Sequence, residues 1–219
     1  MNKYIQEFGP IVESHTVYRL PDGIIVPGVS TVIGQVSSPW LVDWKVSVTR
    51  KGLDYRAIAW ESARVGTLAH ALVQCHLGGI VPSLLHYSPN QIRLAENALA
   101  KFLEYAKRHD MEPLLLETPM VSEAYRYGGT PDYYGLLDSV PTILDWKTGS
   151  GVYDGHYLQA AAYWNLLVEN GHPVEGVRIL RIGREETGGY QEHGVSRLDE
   201  RFAAFLDLLA YHHKMEAMG

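Results

Sequence analysis

The chain predicts a mixed α/β fold, a central mixed β-sheet flanked by helices, with an early helical pair over one edge of the sheet. Three observations carry this. Residues 55–109 hold two long stretches with apolar residues at helical spacing. Residues 114–146 break into short strand-like runs separated by Gly, Pro and Asp. A helix, two more strands and an amphipathic helix then close the chain. At roughly 150 residues per domain, 219 residues make a single domain, 1–219: residues 1–110 supply a hairpin and the helical part, and 111–219 the sheet core and last helix.

Taken in order, residues 9–28 alternate turn signals (Pro10, Pro21-Asp22-Gly23, Pro27-Gly28) with short apolar pieces and read as a small hairpin. Ser30-Thr31 caps a short helix, and Leu41 to Val48 is another. From Tyr55 to His76, Ile58, Val65, Leu68 and Leu72 lie on one helical stripe, and Gly78-Gly79 end it. Ser88-Pro89 opens a second long helix with Leu94, Ala98, Phe102 and Tyr105 on its inner face, ending near His109. Leu114–Ala124, Gly129–Leu137 and Thr142–Trp146 read as strands. Residues 156–169 form a helix stopped by Asn170-Gly171. Val177–Ile182 and Tyr190–Val195 are two further strands, and Leu198–Met215 is a helix with Phe202, Phe205, Leu206 and Leu209 inward.

Composition removes several classes of function. With 46% hydrophobic and 20% charged residues the chain is globular. A net charge of −6 argues against a generic nucleic-acid coat protein, though not against a local basic groove. The single cysteine, Cys75, excludes a disulfide framework, a cysteine zinc site and a four-cysteine iron–sulfur cluster. The first residues carry Glu7 and Glu13 and no apolar run, so neither a signal nor a transit peptide is expected. No stretch approaches the roughly 18 apolar residues that span a bilayer. A cytoplasmic protein without a membrane partner is the expectation.

The chemistry concentrates in Gly128-Gly-Thr-Pro-Asp132 and Ile143-Leu-Asp145-Trp-Lys147. Side chains alternate along a strand, so Asp145 and Lys147 share a face that Trp146 does not. A carboxylate and an ammonium behind the apolar Ile143-Leu144 are costly to bury without a purpose. If Asp132 lies beside them, two carboxylates and a lysine converge, as a hard cation such as Mg²⁺ requires. Asp-x-Lys alone also fits a surface ion pair at a strand end. His70 stands one helical turn after Gly66, and its imidazole suits Mn²⁺ more than Mg²⁺; a structural histidine is the plainer alternative. Gln159 and Tyr163 are an i, i+4 pair on the helix after the Asp-x-Lys strand.

In that order, Gly66-x-x-x-His70, Gly129-x-x-Asp132, Asp145-Trp-Lys147 and Gln159-x-x-x-Tyr163 resemble the PD-(D/E)xK nuclease superfamily, in its RecB-type branch. Val26-Pro-Gly-Val-Ser-Thr-Val32 and Leu41-x-x-Trp44-Lys45 are similar to elements of the mitochondrial genome maintenance exonuclease and its phage relatives. The resemblance implies a restriction-endonuclease-like core with the N-terminal helical region over the active-site cleft. It implies that His70, Asp132 and Asp145 hold one or two Mg²⁺ or Mn²⁺ ions, and that Asp132, Asp145 and Lys147 are catalytic. Gln159 and Tyr163 would contact the DNA backbone or support the site, and Glu117 resembles a family glutamate ahead of the strands. Subfamilies with an iron–sulfur cluster are excluded by the cysteine count.

The expected activity is therefore a metal-dependent DNA exonuclease on single strands or duplex ends, in recombination, repair or phage DNA metabolism. The alternatives are an inactive DNA-binding recombination component and a structure-specific endonuclease. Backbone-binding candidates are Arg64 and Arg126, with Lys45, Arg178, Arg181 and Arg184; Trp44, Trp60, Tyr127 and Tyr133 are candidate base-stacking rings. The expected partner is DNA, together with a recombination or single-strand-binding protein.

Overall fold

The computed structural model describes residues 16–35, 39–78 and 81–218. Residues 9–15 of the expected hairpin and Gly79 of the expected helix stop lie outside them. The hairpin itself is short: β1 (Tyr18–Arg19) and β2 (Ile25–Val26) pair around Gly23, whose φ of +87° suits a residue without Cβ. Three helices follow: α1 (Val29–Ile33), α2 (Pro39–Arg50) and the long α3 (Tyr55–Gly78). Next, α4 (Pro89–Ala106) opens on a reciprocal cap: Gln91 N–H donates to Ser88 Oγ at 3.2 Å, and Ser88 N–H donates to Gln91 Oε1 at 2.8 Å.

The sheet runs β3 (Met111–Leu116), β6 (Tyr133–Leu137), β7 (Val140–Lys147), β8 (Gly176–Arg181), β9 (Gln191–Gly194) in spatial order. Within this sheet, among the described residues, β7 and β8 are the parallel pair; α5 (Asp154–Glu169) connects them, as a parallel crossover demands. The last helix is α6 (Leu198–Met218). The mixed five-stranded sheet flanked by helices is the fold class that the sequence predicts.

Two expected strands divide. The run 114–124 becomes β3 and β4 (Met120–Ser122), and 129–137 becomes β5 (Tyr127–Gly129) and β6. The breaks fall at Thr118-Pro119 and Thr130-Pro131, where proline offers no N–H to a ladder. Strands β4 and β5 form their own two-stranded sheet.

Each sheet face has its own core. Ile143, Val177 and Ile179 pack under α1, α5 and α6 with Tyr127, Leu166 and Phe205. Leu144, Trp146 and Leu180 pack on the opposite face under α3 and α4 with Leu68, Leu72 and Phe102. The early helical pair thus covers a whole face of the sheet and not only its edge. The hairpin docks through Tyr18, whose hydroxyl lies 2.9 Å from Thr130 Oγ1. A Cβ on Gly128 would stand 2.2 Å from the Tyr18 ring and one on Gly28 2.9 Å from it, so both positions must be bare.

Candidate metal centre and active site

Strand β7 ends where its parallel partner β8 ends, at the carboxyl edge where open α/β sheets usually bind ligands. Asp145 and Lys147 project there on the α5 side of the sheet. Asp145 is 1% exposed, its Oδ2 lies 2.6 Å from Lys147 Nζ, and neither carboxylate oxygen has a partner in hydrogen-bonding geometry. Lys147 Nζ also donates to Gln159 Oε1 at 2.8 Å, and Gln159 Nε2 donates to the Tyr163 hydroxyl at 2.9 Å. Burial pushes the Asp145 carboxyl up to about 6 against the pull of Lys147, and the Asp132 charge adds to the rise. Burial likewise holds the Tyr163 hydroxyl neutral, its pKa well above the usual range.

Asp132 stands just ahead of β6 and reaches across to β7, where Trp146 N–H donates to its Oδ2 at 2.9 Å. Its other oxygen lies 3.3 Å from His70 Nδ1, and Glu117 Oε1 lies 3.6 Å from the same nitrogen. Among the described residues, His70, Glu117 and Asp132 form the group whose ligand atoms all fall within 4.8 Å of one another. Asp145 stands outside that grouping, its carboxylate turned to Lys147. Burial would push the imidazole down, but the Asp132 and Glu117 carboxylates outweigh it and hold His70 up at about 10. Burial also opposes ionisation of Asp132, yet His70 above all draws its pKa below the usual carboxylate value. The imidazolium acts as the cation that two adjacent carboxylates need.

These residues fit a divalent metal. Two carboxylates and an imidazole converge, and the further buried carboxylate of Asp145 close by is balanced only by its ion pair with Lys147, with no contact in hydrogen-bonding geometry. His70 must give up its proton to coordinate, so metal uptake would release protons. His70, Glu117, Gly66, Thr67 and Gln74 line a cleft of about 400 Å³.

Gly66 of Gly66-x-x-x-His70 lies beside Arg184 and Thr148: a Cβ there would stand 3.4 Å from Arg184 Nη2 and Thr148 Oγ1, an ordinary contact distance, and those two atoms are themselves hydrogen-bonded at 2.8 Å. Arg184 is placed by its backbone: Asn97 Nδ2 donates to Arg184 O at 3.0 Å, and the buried ammonium of Lys101 donates to the carbonyls of Gly183 and Glu185. Sequence reasoning missed Lys101, Asn97 and Thr148. A lysine in the middle of the apolar α4 stripe was the available signal.

Several expected DNA contacts lie elsewhere. Tyr127 and Tyr133 are fully buried, their hydroxyls donating to Ala162 O at 2.9 Å and Leu136 O at 2.8 Å, so neither ring offers a face to a base. Arg178 pairs with Glu192 at 2.7 Å, and Arg181 Nε donates to Gly149 O at 2.9 Å. Arg126 lies in the β4–β5 turn and lines a separate cavity with Pro27 and His212. Lys45 sits over the Tyr55 ring, and Arg64 sits over Trp60 and Tyr87.

Among solved structures, the chain is similar to a protein of Eubacterium rectale designated an exonuclease, at 15% identity and a TM-score of 0.48, over 65% of this chain and 64% of that one. The chain thus spans under two-thirds of that protein. It is also similar to the alkaline exonuclease LHK-Exo of Laribacter hongkongensis, at 12% identity and a TM-score of 0.33, over 70% of this chain and 84% of that one. A second structure of LHK-Exo, in complex with dAMP, matches at 13% identity and a TM-score of 0.32, over 73% of this chain and 98% of that one. The structural neighbours are exonucleases. No family model and no curated protein matches the sequence. At such identities the reaction has to be read from the chain's own residues.

Proposed function

We propose that the protein is a divalent-metal-dependent deoxyribonuclease of the PD-(D/E)xK type, RecB branch. Its substrate is single-stranded DNA or frayed duplex ends, which it degrades from a terminus. The observation that carries this reading is a lysine ammonium fixed between Asp145 and Gln159 beside the His70–Glu117–Asp132 group. That combination of metal-ligand types and a fixed cation suits hydrolysis of a phosphodiester.

His70, Glu117, Asp132 and Asp145 would hold the Mg²⁺ or Mn²⁺, which supplies Lewis acidity at a phosphoryl oxygen. Lys147 already makes two polar contacts that set its direction, so little reorganisation opposes it as negative charge develops on the phosphate. It neutralises that charge or orients the attacking water. Gln159 holds Lys147 and is itself held by Tyr163, so this pair acts through the lysine. Arg64 binds the DNA strand. Work in recombination, repair or phage DNA metabolism, beside a recombination or single-strand-binding protein, belongs to the same reading.

The test is digestion of strands labelled at either end with Mg²⁺, Mn²⁺ or EDTA, comparing a linear single strand with its covalently closed circle. We expect metal-dependent loss of the linear strand alone. Equal loss of the circle overturns the requirement for an end. No cleavage with either metal overturns the nuclease reading.

A further inference from the structure

A second cavity, about 650 Å³ in volume, opens between the N-terminal half of α3 and the start of α4. Trp60 is 54% exposed at its mouth, and the Arg64 guanidinium lies 4.8 Å from the ring centroids of both Trp60 and Tyr87. His86 adds an imidazole to the wall. Below them, Gln91 is 4% exposed and committed at both ends of its amide: Oε1 accepts from Ser88 N–H, and Nε2 donates to Glu61 Oε2 at 2.6 Å. The cap of α4 therefore aims a carboxylate into the cavity.

This cavity and the cleft of the candidate metal centre lie along one helix. Trp60, Arg64, Thr67, Ala71 and Gln74 recur at i, i+4, i+7, i+11 and i+14, on a single face of α3. The last three line the cleft of His70 and Glu117. From Arg64 to His70 the helix rises about 9 Å, or within about three nucleotides at the stacked rise of a strand.

We propose that the cavity is a base-binding subsite that takes one unpaired nucleobase of the DNA strand lying in that cleft, with a preference for guanine. The assignment rests on the deoxyribonuclease reading above. Flat aromatic walls and a guanidinium favour stacking on any base. The oriented carboxylate adds selectivity, since it only accepts hydrogen bonds. Guanine presents two adjacent N–H donors, N1–H and N2–H, on the edge that an unpaired base exposes. Thymine presents one donor between two oxygens, which the Glu61 carboxylate repels.

The test is fluorescence anisotropy in EDTA with labelled oligothymidylate and an alternating guanine–thymine strand of equal length, followed by cleavage of both with Mn²⁺. Wild type should bind the guanine-containing strand more tightly. Trp60→Ala should weaken binding of both strands roughly tenfold, the scale of one lost stacking platform, with an unchanged melting temperature because Trp60 is exposed. Glu61→Gln should remove the guanine preference while leaving oligothymidylate binding equal or tighter. If wild type binds and cleaves DNA but both variants match it on both strands, the subsite is overturned and the nuclease reading stands. If wild type neither binds nor cleaves, both fall. Tight, Glu61-dependent binding of an oligoarginine peptide that leaves DNA binding untouched would reassign the cavity to a cationic peptide.

Discussion

Asp145, Lys147, Gln159 and Tyr163 form an unbroken run of polar contacts of 2.6 to 2.9 Å between one strand and the helix that follows it. His70, Glu117 and Asp132, by contrast, come from a helix, a loop and a strand edge and meet at 3.3 and 3.6 Å. The first half of the site is locked by one ion pair and two hydrogen bonds. The second is an excess of acceptors balanced by a single imidazolium, and so is poised to exchange that proton for a stronger cation. Rigid charge placement and cation capture are thus separated within one small site, and substitutions on each side should give different signatures.

The sharpest break is Asp145→Asn, which keeps shape and removes charge. Cleavage should fall to background while DNA binding and folding persist; near-normal turnover with Mg²⁺ would remove Asp145 from the chemistry. Next, Lys147→Ala should lower kcat by roughly 10²-fold, the scale for losing one preorganised charge. A change confined to KM would make the lysine a binding residue.

On the other half, His70→Ala and Glu117→Gln should leave kcat at saturating Mn²⁺ within a few-fold. Both should raise the Mn²⁺ needed for half-maximal activity roughly ten- to hundredfold. An unmoved metal titration with a lowered melting temperature would make His70 a structural residue. Gln159→Ala belongs to the locked half and should cost only about tenfold in kcat, because Asp145 still restrains the ammonium.

The smallest effect concerns His156, at the start of α5, whose Nδ1 accepts from Tyr153 N–H at 3.1 Å. Burial first, and then the Lys147 charge, push its pKa down to about 4. An unfolded chain takes up that proton near its ordinary value of about 6.5, and the folded chain does not. Stability should therefore fall as pH drops from about 6.5 toward 4. His156→Gln should flatten this acid slope in urea titrations. An unaltered slope would show that another group titrates there.

The locked half was legible because alternation along a strand and the i, i+4 spacing of a helix are local rules. Asp145 and Lys147 fall on one face whatever the rest of the chain does. Gly66 and His70 were legible for the same reason, although the neighbours of Gly66, Arg184 and Thr148, come from far along the sequence. Glu117 was faint because no local pattern places it. Its backbone has φ +46°, and its N–H donates to Asp132 O at 3.1 Å, a link made only by tertiary pairing. The strand breaks were written in Pro119 and Pro131, but strand-forming residues on either side, Leu114–Leu116 and Tyr133–Leu137 among them, masked them. Tyr127 and Tyr133 illustrate the limit of composition: a tyrosine suits a stacking platform or a core, and the carbonyls of Ala162 and Leu136 decide for the core.

The ring of Tyr18 occupies space that Gly28 and Gly128 leave empty, and those glycines bridge to each other across a hundred residues of chain. The three positions therefore cannot drift independently. A lineage that keeps the tyrosine has no tolerated side chain at Gly128, while one that shrinks it to a small residue frees both glycines at once. Homologous chains should divide into two groups, an aromatic with two glycines or a small residue with alanines and serines, with intermediates purged by collision.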